Sequence, residues 1–261
     1  MSNIHQSAVI EEGASIHPTA KIGPYCVIDS GVSIGADTVL KSHVAVAGKT
    51  SIGDACTVFP FASIGHAPQD LKFHGEDSEV QIGDHCVIRE HVTINPGTAG
   101  GGALTKIGND CLIMVAAHIA HDCRVGNHVI LVNNATLGGH VVIDDFAIIG
   151  GLSAVHQFVR IGAHAMIGGA SGVETDIIPF GSATGNRAVL GGLNLTGMKR
   201  RGFSRDEIHA LRNAYKRLFG NDGTFQERTS LIAEEFPNSD VVKTVLDFIN
   251  GETKRGFCQP Q

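Results

Sequence analysis

Histidines concentrate between residues 118 and 157, in company suited to acyl chemistry. The stretch reads His118-Ile119-Ala120-His121-Asp122-Cys123, then Gly138-Gly139-His140, then Val155-His156-Gln157. Imidazole titrates nearest neutrality, so it suits general-base work. Asp122 directly follows His121 and can orient or charge-tune an imidazole. Gly138 and Gly139 can expose backbone N–H groups, which a developing oxyanion requires. A base for a hydroxyl and donors for a tetrahedral oxygen are the parts an acyl transfer needs. Outward histidines are equally compatible with plain polar surface. Three of them could also hold zinc.

The elements that must position these groups are legible in a repeat. An aliphatic residue returns every sixth position from Ile4 to Ile64, resumes at Ile82, Ile88 and Ile94, and runs again from Ile107 to Val173. Four places after most of them stands a small or slim residue, such as Ala8, Cys26, Thr38, Ala62, Cys111 and Ala135. A six-residue period fits neither a 3.6-residue helix nor a simple alternating strand; it marks a solenoid. Each unit is expected to be a short strand plus a turn. Three units make a triangular coil of about eighteen residues, and coils stack about 4.8 Å apart. Both the aliphatic and the slim residue point inward. Gly23, Gly35, Gly53, Gly83, Gly108, Gly126 and Gly162 follow the aliphatic position, where turn backbone favours glycine. Residues 98–106 break the phase and are expected to be an insertion; 65–81 keep it and are a loop or a distorted coil.

On this lattice one coil beyond His121 is Gly139, beside His140, and one coil before His156 is Gly138. His121, His140 and His156 are therefore expected in a column on one outer edge, about 5 Å per step.

After Val173 the repeat ends, at Ile178-Pro179. Residues 1–185 are read as the solenoid and 186–261 as a helical cap, which shields an open solenoid end. Residues 186–203 read as irregular. Ser204 with Glu207, and Thr224 with Glu227, are capping boxes opening two helices. Ser239 is a candidate cap for a third. Ile208, Leu211, Tyr215 and Leu218 form the first helix's apolar face.

Composition narrows the class. No apolar run is long enough for a transmembrane helix, and the first residues carry no secretory signal, so the expected location is cytoplasmic. Five of six cysteines fall on the slim inward position and read as core filler; no C-x-x-C pair occurs. Net charge −6 argues against nucleic acid as the main partner. Between Arg187 and Arg217, however, eight basic residues face two acidic ones, a platform for a diphosphate or an acidic protein.

The hexapeptide pattern resembles the hexapeptide-repeat acyltransferases, whose body is a left-handed parallel β-helix. Four strings sharpen this: Gln-Asp-Leu-Lys at 69–72, His-Ile-Ala-His-Asp-Cys at 118–123, Val-His-Gln-Phe at 155–158, and Lys-Arg-Arg-Gly-Phe-Ser at 199–204. In this order they are similar to the UDP-N-acetylglucosamine O-acyltransferases, over nearly the whole chain. The resemblance implies transfer of a (3R)-3-hydroxyacyl group from acyl carrier protein to the 3-hydroxyl of UDP-N-acetylglucosamine, the first step of lipid A synthesis. It implies His121 as general base, Asp122 as its holder and the Gly139 amide as oxyanion donor. Asp70 and Lys72 would contact sugar and donor. His118, His140, His156 and Gln157 would line the nucleotide-sugar site. Asn194, Arg200 and Arg201 would meet the uridine diphosphate or the carrier's phosphopantetheine. Gly169, lacking a side chain, would admit a longer acyl tail. The family is homotrimeric with sites between chains, and no cofactor or metal is needed.

Two departures stand out. Asn95-Pro96 replaces a frequent His-Arg before Gly97-Thr98, which bears on a donor contact. Thr196 stands where an acid is frequent, which bears on the ribose contact. Other readings on the same repeat are a γ-type carbonic anhydrase, an N-acyltransferase of the same pathway, and a non-catalytic scaffold. The first lacks its histidine pattern here. The second would carry an extra N-terminal uridine-binding domain, and a scaffold of the ice-binding kind would show Thr-x-Thr ranks.

Overall fold

The computed structural model describes residues 3–260. Most hexads fold as a two-residue strand and a four-residue turn, as in Lys21–Ile22, Val27–Ile28 and Ser33–Ile34. Successive strands join successive sheets, so the chain winds round a triangle. Among the described residues the three sheets hold nine, eight and ten strands. The first runs from Val9–Ile10 to Gly172–Val173, the second from Ser15–Ile16 to Arg160–Ile161, and the third from Lys21–Ile22 to Val189–Leu193. All pairings are parallel except the last of the third sheet, where Gly181–Thr184 meets Val189–Leu193 antiparallel. Register is aliphatic on aliphatic, such as Ile10 to Ile28 and Ile28 to Val46. This is the expected class, a parallel β-helix with a small helical cap.

The triangle's interior is the core. Ile28, Leu40, Ile64, Ile88, Ile94, Ile113, Ile119, Leu131 and Leu137 are fully buried, each contributing roughly 1.5–3 kcal/mol. The slim residues Cys26, Cys56, Ala117 and Ala135 are also buried, at the turns. Enlarging one would overpack the turn at a cost of about 1–3 kcal/mol.

The turns correct the expectation for glycine. The left-handed backbone falls three residues after the aliphatic position, on side chains such as Tyr25, His43, Phe61, Asp122, His140 and Phe158, at φ between 58° and 66°. For non-glycine residues this costs about 1–2 kcal/mol each. Ring stacking along the edges offsets it: Tyr25, His43, Phe61 and His91 form one stack, His128, Phe146, His164 and Phe180 another. The glycine after the aliphatic serves close coil approach instead. A Cβ at Gly53 would sit 2.2 Å from Asp84 Oδ1 and 2.8 Å from the Gly83 backbone.

Both long loops leave the same edge, where the first sheet hands over to the second. One fills the span from Ile64 to the strand Glu79–Ile82, so 65–78 is a loop. The other lies between Ile94 and the strand Leu104–Ile107. The insertion expected over 98–106 therefore ends earlier: Leu104–Ile107 pairs with Glu79–Ile82 as an ordinary coil strand.

Among its described residues the cap holds four helices: α1 Leu195–Arg200, α2 Arg205–Leu218, α3 Phe225–Glu235 and α4 Asp240–Asn250. Both capping boxes form, at Ser204/Glu207 and Thr224/Glu227. Ser239 stands at the N-cap of α4 without a side-chain hydrogen bond. Residues 186–203 are not irregular; they carry a strand and α1, capped by Asn194. After α4 the tail returns to the solenoid. Gly256 and Cys258 bracket Asp176 through backbone hydrogen bonds of 2.8 Å, and the buried Cys258 thiol donates to Ala188 O. Arg160 locks this junction: its Nε is 2.7 Å from Asp176 Oδ2 and its guanidinium lies over Phe248.

Candidate active site

His121 and Asp122 lie on the edge that bears both loops, between the strands His118–Ile119 and Arg124–Val125. The left-handed backbone at Asp122 turns its carboxylate back along the edge, and its N–H donates to Thr105 Oγ1 at 2.8 Å. Three donors then converge on that carboxylate. Thr98 N–H reaches Oδ1 at 2.9 Å; Thr98 Oγ1 reaches Oδ2 at 2.6 Å; His121 Nδ1 stands 2.8 Å from Oδ2. A carboxylate accepts, so the proton on this face belongs to Nδ1, and Nε2 keeps its lone pair. That is the tautomer a general base needs.

Two glycines shape the pocket around this pair. A Cβ at Gly139 would fall 2.4 Å from His121 Cε1 and 2.6 Å from Nε2. A Cβ at Gly101 would fall 2.0 Å from Asp122 Cγ. The imidazole thus lies against one glycine and the carboxylate under another. His121 was expected to face outward; the loop after Asn95 covers its edge, leaving its side chain 11% and that of Asp122 0% exposed. The amides flanking Gly139 are engaged, Gly138 N–H with Val155 O and His140 N–H with His121 O. Among the described residues the Gly139 N–H has no acceptor. An unpartnered amide beside a poised imidazole is suited to an oxyanion.

The expected single column of His121, His140 and His156 becomes three neighbouring columns. Ile119, Leu137 and Val155 align, so His121 falls in line with Gly139 and Gln157, Asp122 with His140 and Phe158, and Gly138 with His156. His140 meets His121 edge-on at 5.0 Å, stacks on Phe158 at 4.4 Å, and holds Nδ1 3.8 Å from Asp122 Oδ2. Burial lowers its pKa, partly opposed by the Asp122 charge. His156 and Gln157 are exposed on the same edge, and His156 Nδ1 lies 3.2 Å from Gln157 O. His118 faces out of the first sheet with Nδ1 2.7 Å from Thr93 Oγ1; burial, then the neighbouring His121, lowers its pKa. His121, Asp122 and His140 bring ligand-type atoms within 4.8 Å of one another. Because Thr98 and His121 already converge on Asp122, the arrangement is an oriented imidazole rather than three donors aimed at one ion.

The loop over 65–78 hangs from the same edge. Asp70 is half-buried, with Oδ1 accepting from Lys72 N–H at 3.0 Å, and its charge reaches His140. Lys72 is exposed and Leu71 fully so. Asn95 ties the loop down through Nδ2 to His66 O at 3.0 Å, while its buried Oδ1 has no partner among the described residues.

Asn194, Arg200 and Arg201 lie elsewhere. They line a 530 Å³ cleft between α1 and the third sheet, with Ile148, Met166 and Thr196. Asn194 is engaged in structure, donating to His164 O and accepting from Gly197 N–H. Arg201 Nη2 donates to Phe146 O at 2.9 Å. In a triangular prism the third sheet is the face opposite the edge shared by the other two. Within one chain the cleft and His121 are therefore turned away from each other. Gly169 sits on another edge, between the third and first sheets, exposed and outside the left-handed region.

Sequence reasoning missed Thr98, Gly101 and Thr105. The phase break flagged their segment, but a 24-residue separation hides the Thr98–Asp122 pairing.

Among the described residues no helix is long and apolar enough to cross a membrane. The profile of the family described as "Udp N-acetylglucosamine O-acyltransferase; Domain 2" matches residues 176–258, and that of "Bacterial transferase hexapeptide (six repeats)" matches residues 104–139. An acyl-(acyl-carrier-protein)–UDP-N-acetylglucosamine O-acyltransferase from Rickettsia canadensis is 49% identical, over 98% of this chain and 97% of its own. One of the same name from Azorhizobium caulinodans is 49% identical over 98% and 95%. The LpxA structure from Acinetobacter baumannii superposes with a TM-score of 0.95 at 43% identity, covering 98% of this chain and 99% of that one. The UDP-N-acetylglucosamine acyltransferase structure from Campylobacter jejuni gives 0.93 at 44%, over 99% and 100%. Full-length kinship at this level, on a solenoid edge carrying an oriented imidazole, places the chain in the UDP-N-acetylglucosamine O-acyltransferase family.

Proposed function

We propose that this chain moves a (3R)-3-hydroxyacyl group from acyl carrier protein to the 3-hydroxyl of UDP-N-acetylglucosamine, the first step of lipid A synthesis, with His121 as general base. The observation that carries this is the Asp122–His121–Gly139 line: a 2.8 Å contact fixes Nδ1, and the ring lies against a glycine with a free N–H. Nε2 takes the proton from the sugar hydroxyl as its oxygen bonds to the thioester carbonyl carbon. The Gly139 N–H meets the resulting oxyanion. Collapse of the tetrahedral intermediate breaks the C–S bond, and the departing sulfur takes the proton back from Nε2. The thioester is already reactive, so base and donor suffice.

In this reading His118, His140, His156 and Gln157 line the sugar site, and Asp70 and Lys72 bring loop contacts. Asn194, Arg200 and Arg201 hold the uridine diphosphate or the carrier's phosphate. Gly169 leaves room for a long acyl tail. The opposed positions of the cleft and the His121 edge favour a homotrimer, where one chain's cleft faces the next chain's edge. In this reading the reaction takes place in the cytoplasm. Residues 1–185 act as the catalytic solenoid and 186–261 as a cap that adds charge.

Mass spectrometry of the product from UDP-N-acetylglucosamine and a panel of hydroxyacyl carriers tests the reaction and separates ester from amide. In the same assay His121→Ala should lose about 10²–10⁴-fold in kcat. Full turnover in that variant removes the general base; a mere scaffold would lose nothing.

A further inference from the structure

The tail after α4 returns to the solenoid beside the reacting edge, one coil beyond Gln157 and Phe158. It is pinned there: Asp176 and Phe257 pair as a bridge, Asp176 N–H meets Gly256 O, and Cys258 N–H meets Asp176 O. Arg255 Nε donates to Gln157 O at 2.8 Å. Lys254 Nζ lies 4.7 Å from the centroid of Phe158, the ring that stacks on His140. The ammonium is thus one aromatic ring removed from the imidazole that meets His121 edge-on. It is exposed, and among the described residues it forms no ion pair. Its field and that of Asp70 both reach His140, with opposite signs.

We propose that Lys254 is a substrate-binding residue, a cation that the tail holds at the acyl-transfer edge to contact a phosphate group of a substrate. This rests on the reading of that edge as the acyl-transfer site. Three observations converge. The chain just after Lys254 is tied to the solenoid through Arg255, Gly256, Phe257 and Cys258, so the charge is delivered to one place. The Phe158 face limits the sweep of a flexible ammonium, which lowers the entropy lost on binding. The charge of this unpaired cation, added to the larger effect of burial, works against protonation of His140 and is left for an anion to neutralise. Both substrates of the proposed reaction carry phosphate: the nucleotide sugar in its diphosphate, the carrier in its prosthetic arm. The chemistry is common to the two, and kinetics tells them apart.

Lys254→Gln and Lys254→Arg should be compared with the unaltered full-length protein, varying UDP-N-acetylglucosamine and the hydroxyacyl carrier in turn. Loss of a charge-assisted contact should raise one KM about 5- to 20-fold, with kcat falling less than about threefold. A rise for the nucleotide sugar assigns the diphosphate; a rise for the carrier assigns the prosthetic-group phosphate. The arginine variant should bring that KM back to within about threefold of the original, since either cation serves a phosphate. Both KM values within about twofold of the original, or a rise that arginine does not relieve, overturns the proposal. His121→Ala is run alongside. If it is inactive while Lys254→Gln is indistinguishable from the parent, only the lysine contact fails. If His121→Ala retains full turnover, the reading of the edge itself fails.

Discussion

Thr98 Oγ1 stands 2.6 Å from Asp122 Oδ2, the same oxygen that lies 2.8 Å from His121 Nδ1. The threonine fixes the carboxylate, and the carboxylate fixes the imidazole. Thr98→Val keeps the shape and removes the hydroxyl. It should lower kcat about 10-fold or more with little change in KM, while Thr98→Ser keeps most of the rate. Steady-state kinetics of the two variants checks this; equal kcat values would mean the contact does not position the proposed base.

Gly139→Ala introduces a methyl where the His121 ring already lies, 2.4 Å from Cε1. The ring must move, and displacement near 1 Å costs about 10²-fold in rate. Near-parental kcat would show that His121 need not occupy its present place. Thermal unfolding should move little, since the methyl displaces an edge side chain rather than the coil core.

Because the arginine cleft and the His121 edge face opposite ways, complementation is expected. His121→Ala and Arg200→Ala should each be nearly inactive alone. Coexpressed in equal amounts, mixed assemblies of the proposed homotrimer should regain about a quarter of parental activity, the fraction of sites built from two unaltered halves. No recovery on mixing would indicate that each site draws on one chain.

His164 carries a stability switch. Burial, with Arg201 nearby, pushes its pKa down from 6.5 to about 4, and its buried Nδ1 has no partner. Between those values the unfolded chain holds the proton and the folded chain does not. This contribution is therefore complete above pH 6.5 and is lost as pH falls toward 4. His164→Phe keeps the ring stack without the titration. Its Tm should fall less than that of the parent between pH 7 and 4.5, by roughly 2–4 °C. Parallel curves would remove His164 from the account.

Gly169→Met should shift the donor preference toward shorter hydroxyacyl chains by about 10-fold or more in relative kcat/KM. A donor series on both proteins measures it. A parent that prefers short chains, unchanged by the substitution, would leave Gly169 without a role in chain length.

The sequence spoke plainly where the code is local and periodic. The aliphatic series needed only Ile28, Val46 and Ile64 to announce stacked coils, and Ser204 with Glu207 announced α2. It was mute where partners are distant or elements short. Thr98 reaches Asp122 across a loop whose path no repeat dictates. Val189–Leu193 contains Gly191 and Gly192, which erase strand alternation, and α1 spans only six residues, too few for a helical period to show. The turn glycines misled for a physical reason: Gly53 answers to the crowding of the next coil, whereas left-handed torsion falls on residues such as His43 and Phe61. Cys258 was silent because its burial depends on a tail that folds back.

Both inserted loops depart and re-enter at one corner, leaving Ile52 opposite Ile82 and Ile64 opposite Ile94. Extra chain there adds only a slowly growing closure entropy and never perturbs the pitch of the stack. The scaffold thereby separates two problems that most enzymes must solve together. Rigidity is settled inside the prism, while the side chains gathered around His121 can be rewritten at the corner, segment by segment, without reopening the question of how the molecule folds.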